Sequence, residues 1–448
     1  MLEKNQLCNA TVTDITFEGN GVCRVNGMTV FVPNTAVGDE IRLKVVKVLK
    51  SYAFGTVDEI IVPSAERIET DCPHYKKCGG CVFRHISYSG ESDIKSNIVR
   101  NSFTRIGGLT PEFEEFLPCE NVDGYRNKAQ YPIAVVDGKA VCGFFSPRSH
   151  RVVPIEHCLL QPTVFGQICS DILDFINRNH ISVYNEAQNN GFARHIFIRQ
   201  GYHTKEIMVC LVVRKDISRQ LKPLCAVLES KYPNVKSIVM NINPDRTNVI
   251  MGRKCTVLAG ADHITDFMCG NKITLSPLSF YQVNTAQAEK LYAIAREFAE
   301  LKSGMNVVDL YCGTGTIGLS MAKDTDIKLT GIEIIREAAE NAQNNAVLNN
   351  IFNANFICGD AGEALKKVSG KVDLIFLDPP RKGCDTETVK AVAAAQPKRI
   401  VMISCSPSTA ARDCKLFEEL GYSLVKARGV DMFPRTGHVE AVMLLVKV

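Results

Sequence analysis

The chain has 448 residues, 46% of them hydrophobic, and a formal net charge of +4. Such a length implies roughly two to four domains with ample core, and the mild positive balance permits a nucleic-acid partner without demanding one. No apolar run approaches the roughly 18 residues that span a bilayer, and the opening MLEKNQLCNATV lacks the basic-then-apolar form of a secretion signal. A cytoplasmic, membrane-free protein is expected. Eighteen cysteines are then unlikely disulfide formers in a reducing compartment, so some are expected to bind metal or to do chemistry.

Residues 1–60 alternate apolar and polar positions in short runs punctuated by Gly19, Gly21, Gly27 and Gly38, which predicts a small antiparallel OB-like β-barrel. The stretch FEGNGVCRVNGMTVFVPNTAVGDEIRLKVVKV resembles a TRAM domain, a module that binds RNA in RNA-modifying enzymes. Lys44, Lys47 and Lys50, near Arg42 and Tyr52, supply charge and a stacking ring, although lysines also serve simply to guard exposed strand edges.

Next comes DCPHYKKCGGCVFRH, with Cys72, Cys78 and Cys81 spaced C-x5-C-x2-C. Three thiols so close suggest a soft-metal site, and Cys158 in VVPIEHCLLQP is the candidate fourth ligand. Zinc and an iron–sulfur cluster suit four cysteines equally well on chemistry alone. Residues 61–265 read as a central mixed α/β domain carrying this cysteine group. Within it Arg126, Arg194 and Arg199 lie on strand-like segments and are candidates to face phosphates, with ordinary solvated strand ends the alternative for each.

The third domain, 266–448, opens with the polar and aromatic loop SFYQVN and an amphipathic helix over 285–300. Then VVDLYCGTGTIG reads as a buried strand, a glycine turn (Gly313, Gly315, Gly318) and a helix start, with Glu333 ending the next apolar run. A dinucleotide, S-adenosylmethionine or a purely structural turn all fit that motif. Further strands alternate with helical runs, which implies a Rossmann-like doubly wound sheet with ligands at the carboxyl ends of its strands. Three reactive side chains fall at such ends: Asp378 after VDLIFL, Cys405 after IVMIS, and Glu440 where the last strand begins.

Together FYQVN, DLYCGTGTIGL, GIE, LDPPRKG, SCSP and GHVEAV resemble the S-adenosylmethionine-dependent RNA uracil-5 methyltransferase family. The TRAM-like start and the four cysteines are similar to its iron–sulfur-containing branch, which acts on 23S ribosomal RNA. The resemblance implies a C-terminal methyltransferase sheet and a [4Fe–4S] cluster on Cys72, Cys78, Cys81 and Cys158. It assigns Cys405 as the nucleophile that adds to carbon 6 of uracil and Glu440 as the base that removes the carbon 5 proton. Asp378 would contact the uracil and border the cofactor. Gln282, Tyr311, Gly313, Gly315 and Glu333 would hold S-adenosylmethionine, and Phe280 offers a stacking surface or a core position. A monomer acting on 23S ribosomal RNA is expected, with transfer RNA the alternative substrate. A nicotinamide-dependent oxidoreductase would leave LDPP and the Cys405–Glu440 pair unexplained. A noncatalytic RNA-binding relic would have lost the thiol or the base.

Overall fold

The computed structural model describes residues 2–448. The first five strands are β1 (Leu7–Ile15), β2 (Asn20–Val25), β3 (Met28–Pro33), β4 (Glu40–Val48) and β5 (Tyr52–Val62), which close a barrel in the order β1-β2-β3-β5-β4. Inward residues such as Val30, Ile41, Leu43 and Ala53 are fully buried, as the alternation requires. The barrel departs from the expected antiparallel pattern at one pair. β3 and β5 run parallel, with Thr29 opposite Tyr52 and Phe31 opposite Phe54, because β4 lies on the far side of β5 and crosses the chain over.

After α1 (Tyr88–Asn101) and a π-helical turn over 102–107 comes a short strand, β6 (Glu112–Phe113). The central sheet is built from β7 (Lys128–Val136), β8 (Lys139–Phe145), β9 (Val152–Pro154), β10 (Ala193–Gln200), β11 (Ile207–Val213), β12 (Val235–Ile242) and β13 (Lys254–Gly260). Its order is β13-β12-β11-β10-β7-β8-β9. Helices α2 (Thr163–Arg178) and α3 (Ser218–Lys231) cover one face, where Tyr131, Ile133, Ile196, Ile198, Val209 and Leu211 form a core with them. The opposite face, through Phe197, Met208 and Cys210, joins the core of the C-terminal region. A hairpin, β14 (Ile264–Met268) and β15 (Asn271–Leu275), lies between the two.

Helix α4 (Thr285–Ala299) starts where Asn284 accepts the Gln287 N–H, and it buries Ala288, Leu291, Tyr292, Ile294, Ala295 and Phe298 on the face that the periodicity marks. The remaining elements alternate: β16 (Asn306–Leu310), α5 (Thr316–Ala322), β17 (Lys328–Glu333), α6 (Arg336–Leu348), β18 (Ala354–Cys358), α7 (Ala361–Leu365), β19 (Leu374–Leu377), α8 (Thr386–Ala394), β20 (Arg399–Ser404), α9 (Pro407–Glu419), β21 (Tyr422–Val430) and β22 (Glu440–Lys447). They form one sheet in the order β18-β17-β16-β19-β20-β22-β21, with β6 added at the edge beside β21. The first five strands in that order are parallel, and β22 is inserted antiparallel between β20 and β21. Two cores flank the sheet, as a doubly wound architecture demands. Residues Val99, Phe103 and Leu109 from the α1 region belong to one of them, so this segment packs on the C-terminal sheet rather than on the central one.

Candidate active site

The sheet register lines up the reactive residues. Leu310 pairs with Ile332 and with Leu377, Leu377 with Met402, and Ser404 with Ala441. The residues at or just past these strand ends are Glu333, Tyr311, Asp378 and Cys405, with Glu440 entering from the antiparallel strand. Five neighbouring strands, each about 4.8 Å from the next, thus present five candidate side chains along one edge. Cys405 and Glu440 extend the Ser404–Ala441 pairing by one step and face each other across a single strand spacing.

Cys405 sits between β20 and α9 and is half-buried. Burial pushes its thiol up, and the Glu440 and Asp378 carboxylates add to that; the Arg381 guanidinium, hydrogen-bonded to the thiol, works the other way. Glu440 is almost fully buried. Burial, reinforced by Asp378, raises its carboxyl to about 8 against the pull of Arg381. Burial alone lifts Asp378 to about 7. Two carboxyls that close to neutral pH can take or give a proton under ordinary conditions, which is what acid–base chemistry beside a nucleophile requires. By contrast Cys312 in the glycine turn is buried, and burial with the nearby Asp309 carboxylate drives its thiol far up, so it is not a competing nucleophile.

The glycine turn is shaped for a ligand. Tyr311, Gly313 and Gly315 all have positive φ (63°, 55° and 80°). A Cβ on Gly313 would meet nothing within 4 Å, whereas one on Gly318 would come within 2.9 Å of Asp309 Oδ2 and Leu329. The first glycine therefore borders open space and the last permits close packing of α5 on the sheet. Glu333 is clamped by two backbone donors, Gly313 N–H at 3.0 Å and Ile335 N–H at 2.8 Å. That fixes a carboxylate at the rim of the turn. Ile334 and Ile335 beside it are exposed apolar side chains, a flat flank the sequence reading missed because GIEII looks like plain strand. Tyr311 is half-buried against the α7–α8 side of the sheet. Gln282 accepts, through its carbonyl, a 2.8 Å bond from Asn127 Nδ2, and Phe280 is 64% exposed, which removes the core reading for that ring.

The loop before Glu440 is anchored by a buried network that sequence reasoning also missed. Lys95 Nζ donates to Glu91 (2.7 Å), to Asp431 (2.8 Å) and to the Phe433 carbonyl (3.1 Å). Tyr88 donates to Asp431, and the Arg435 N–H donates to Glu91. α1 thereby holds the chain that leads into the base position. An i, i+4 Glu–Lys pair on a helix looks like a solvated face in sequence, so only the fold reveals it.

Of the expected phosphate-facing arginines, Arg199 is corrected. It is fully buried, and its guanidinium donates to the Ser276 and Ser279 carbonyls at 2.8 and 2.6 Å, bracing the loop that carries Phe280 and Gln282.

This arrangement matches known proteins. Residues 187–448 match the family model described as tRNA (Uracil-5-)-methyltransferase, and residues 2–57 match the TRAM domain. An RNA methyltransferase of Bacillus cereus, described as uncharacterized, is 40% identical over 451 aligned residues that cover 100% of this chain and 98% of the relative. The chain belongs to the tRNA (uracil-5-)-methyltransferase family. A Clostridium tetani member, with the same description, is 39% identical over 99% of this chain and 97% of its own. Among solved structures, the Pyrococcus abyssi tRNA (uracil-54, C5)-methyltransferase in complex with S-adenosyl-L-homocysteine superposes with a TM-score of 0.77 at 26% identity, covering 98% of this chain and all of that one. The protein is therefore an RNA uracil-5 methyltransferase that uses S-adenosylmethionine and carries an N-terminal TRAM barrel. No helix among the described residues is long and apolar enough to cross a membrane.

Cys72, Cys78, Cys81 and Cys158 come together from separate loops to line one cavity of about 120 Å³. Burial raises the thiols of Cys81 to about 12 and Cys158 to about 11, and the cysteines raise one another further. Arg84 and Arg126 line the same cavity, and Arg84 Nη1 is buried there with no partner. Among the described residues, no group of three or more His, Cys, Asp or Glu side chains is arranged to hold a metal ion.

Proposed function

We propose that this enzyme methylates carbon 5 of a specific uridine in 23S ribosomal RNA through a covalent Cys405–uracil adduct. The observation that carries the reading is the placement of Cys405 opposite Glu440 across β20 and β22, with Asp378 on the next strand. Carbon 5 of uracil is a weak nucleophile until something adds at carbon 6. Cys405 passes its proton to Asp378, leaving Glu440 ionised, and Sγ bonds to carbon 6, which moves electron density onto carbon 5 and oxygen 4. Asp378, near neutral, holds the ring edge and stabilises that enolate. S-adenosylmethionine supplies the methyl group as an electrophile. Glu440 then takes the proton from carbon 5, the carbon 5–carbon 6 double bond re-forms, and the Cys405 thiolate leaves. Arg381 favours the thiolate at both ends of the sequence.

Glu333 accepts hydrogen bonds from the ribose of the cofactor, with Gly313 and Gly315 giving backbone access, and Tyr311 and Gln282 bordering the methionine portion. Phe280 stacks near the target base, which must leave its helix to reach so enclosed a thiol. Within the 1–60 barrel, Phe31, Tyr52 and Phe54 form a cluster with centroids 5.6–5.9 Å apart, and Lys47 pairs across from Phe54. Aromatic faces flanked by lysine suit unpaired RNA. Arg42, in contrast, is neutralised by Asp58 and Glu59.

The cysteine cavity in the 61–265 region holds a [4Fe–4S] cluster in this reading. The preference for a cluster over a zinc ion rests on the resemblance to the iron–sulfur branch, since four thiolates suit either on chemistry alone. The unpartnered Arg84 Nη1 supplies a donor for the anionic, thiolate-ligated group. The cluster, through resemblance to the iron–sulfur branch, is also what favours ribosomal RNA. Transfer RNA is the second reading, favoured by the likeness to the Pyrococcus abyssi enzyme. The catalytic domain, 266–448, works as part of a cytoplasmic monomer. Mapping 5-methyluridine in ribosomal and transfer RNA from a deletion strain tests the assignment: loss from 23S RNA alone is expected, and loss from transfer RNA would reassign the substrate.

A further inference from the structure

A cavity of about 640 Å³ opens on the central sheet, away from the catalytic edge. One wall is the Phe145 ring, 40% exposed, stacked with His150 at 5.4 Å and 28°. Tyr184 also lines the cavity, and its ring carries the Arg194 guanidinium at 4.3 Å. Arg194 is buried, and its Nη1 donates to the Asn243 and Asp245 carbonyls at 2.7 Å each. No carboxylate of the described residues pairs with it, so its charge is left uncompensated. Arg194 Nε and His195 Nδ1 are buried without partners beside the cavity. Glu186 at the rim is engaged by His150 at 3.0 Å.

The loop carrying Gln282 and this cavity lie toward opposite ends of β7. Asn127, just before the strand, donates its N–H to the Val283 carbonyl and its side chain to the Gln282 carbonyl, both at 2.8 Å. From there Lys128, Gln130 and Pro132 share a face with Arg199, Phe197 and His195, their register partners. Lys128 to Pro132 spans about 13 Å of strand. Lys128 has no acidic partner among the described residues, and Arg126 stands two residues before it.

We propose that the cavity receives a second unstacked nucleobase of the RNA strand whose uracil reaches Cys405, so that the enzyme holds its substrate at two separated points. The inference rests on the RNA methyltransferase reading. Phe145 and Tyr184 supply aromatic surface on which a base can stack, an arginine without a carboxylate partner suits its polar edge and the adjoining phosphate, and the volume lies in the range of nucleotide-sized ligands. A bare phosphate would not call for the aromatic surface.

The test uses full-length protein and unmodified total RNA from a strain lacking it. The Phe145→Ala, Tyr184→Ala double variant should raise KM for RNA about 5- to 100-fold, the range for losing base stacking. Its kcat and its calorimetric affinity for S-adenosylhomocysteine should stay at the wild-type values. His150→Ala, at a side chain 62% exposed and so safe for folding, should raise KM in the same direction. An unchanged KM in both variants overturns the proposal. Photocrosslinking with RNA carrying 4-thiouridine should mark peptides containing 145–150 or 183–186, and crosslinks confined to other segments would also overturn it. Failure of the wild type to methylate any RNA would instead sink the methyltransferase reading; the crosslink reads the cavity in either case.

Discussion

Cys405 and Cys81 are both half-buried thiols beside an arginine, and burial raises the pKa of each. Their neighbours separate them. Cys405 faces two carboxyls lifted toward neutrality, Glu440 and Asp378, on the rigid ends of adjacent strands. Cys81 faces three other thiols, brought in on loops without regular structure around it. A thiol among proton acceptors is equipped to attack and be released. A thiol among thiols is equipped to share a soft metal, and methyl transfer consumes no electrons that such a metal would need to supply. The lesson is that the chemistry of a cysteine is read from its company rather than from its exposure.

The most severe way to test that contrast is Cys405→Ala. Methyl transfer should fall to background while affinity for S-adenosylhomocysteine is retained, and measurable turnover by the purified variant would remove the nucleophile assignment. Glu440→Gln should lower turnover by about 10²- to 10⁴-fold. It should also leave a methylated protein–RNA adduct visible in denaturing electrophoresis, because glutamine keeps the shape but cannot accept the carbon 5 proton. That adduct should require S-adenosylmethionine and vanish when Cys405→Ala is added. Glu333→Ala should weaken S-adenosylhomocysteine binding roughly 10- to 100-fold, corresponding to loss of charge-assisted hydrogen bonds of about 1.5–3 kcal/mol. An unaltered calorimetric Kd would show the ribose site to lie elsewhere.

A smaller effect follows from pH. Glu440 has a folded pKa of about 8, above its unfolded value, so the native state binds its proton more tightly than the unfolded chain. Its contribution to stability is then fully present below about pH 4 and is lost as pH rises through 8. Glu440→Gln should therefore be more stable than the wild type at pH 9 by more than about 1 kcal/mol, with the difference fading toward pH 5 in denaturant titrations. The wild-type rate should rise over the same interval as the base ionises. A stability difference that does not vary with pH would contradict the burial of this carboxyl in the folded enzyme.

The other side of the comparison gives the smallest catalytic change. Cys81→Ser should remove the iron and acid-labile sulfide, about four of each per chain in anaerobically purified wild type, yet leave kcat within roughly tenfold. Zinc without sulfide in the wild-type protein would replace the cluster reading, and complete loss of activity with folding intact would merge the two thiol regions into one machine.

Much of this was legible in the chain. The strands of the C-terminal sheet are short apolar runs that end in Asp378, Cys405 and a glycine turn, and such runs in a parallel sheet leave ligand groups at their carboxyl ends whatever the details of packing. Helix α4 was equally clear, because one apolar face of period 3.6 can be buried in only one way. The barrel was visible in its alternation, though not the parallel pairing of β3 with β5, since alternation marks faces and not partners. Other features depend on residues distant in sequence. The insertion of β22 beside β20 sets Glu440 against Cys405, and no local pattern encodes a neighbour 35 positions away. Lys95, Glu91 and Asp431 read as surface charges until the fold buries them together. Arg199 reads as a free cation until loop carbonyls surround it. The sequence by itself determined which side chains could do chemistry and which strand ends would carry them. Tertiary structure alone decided which of them meet and how strongly burial shifts their protons, because desolvation and charge coupling depend on distances that the chain order does not contain.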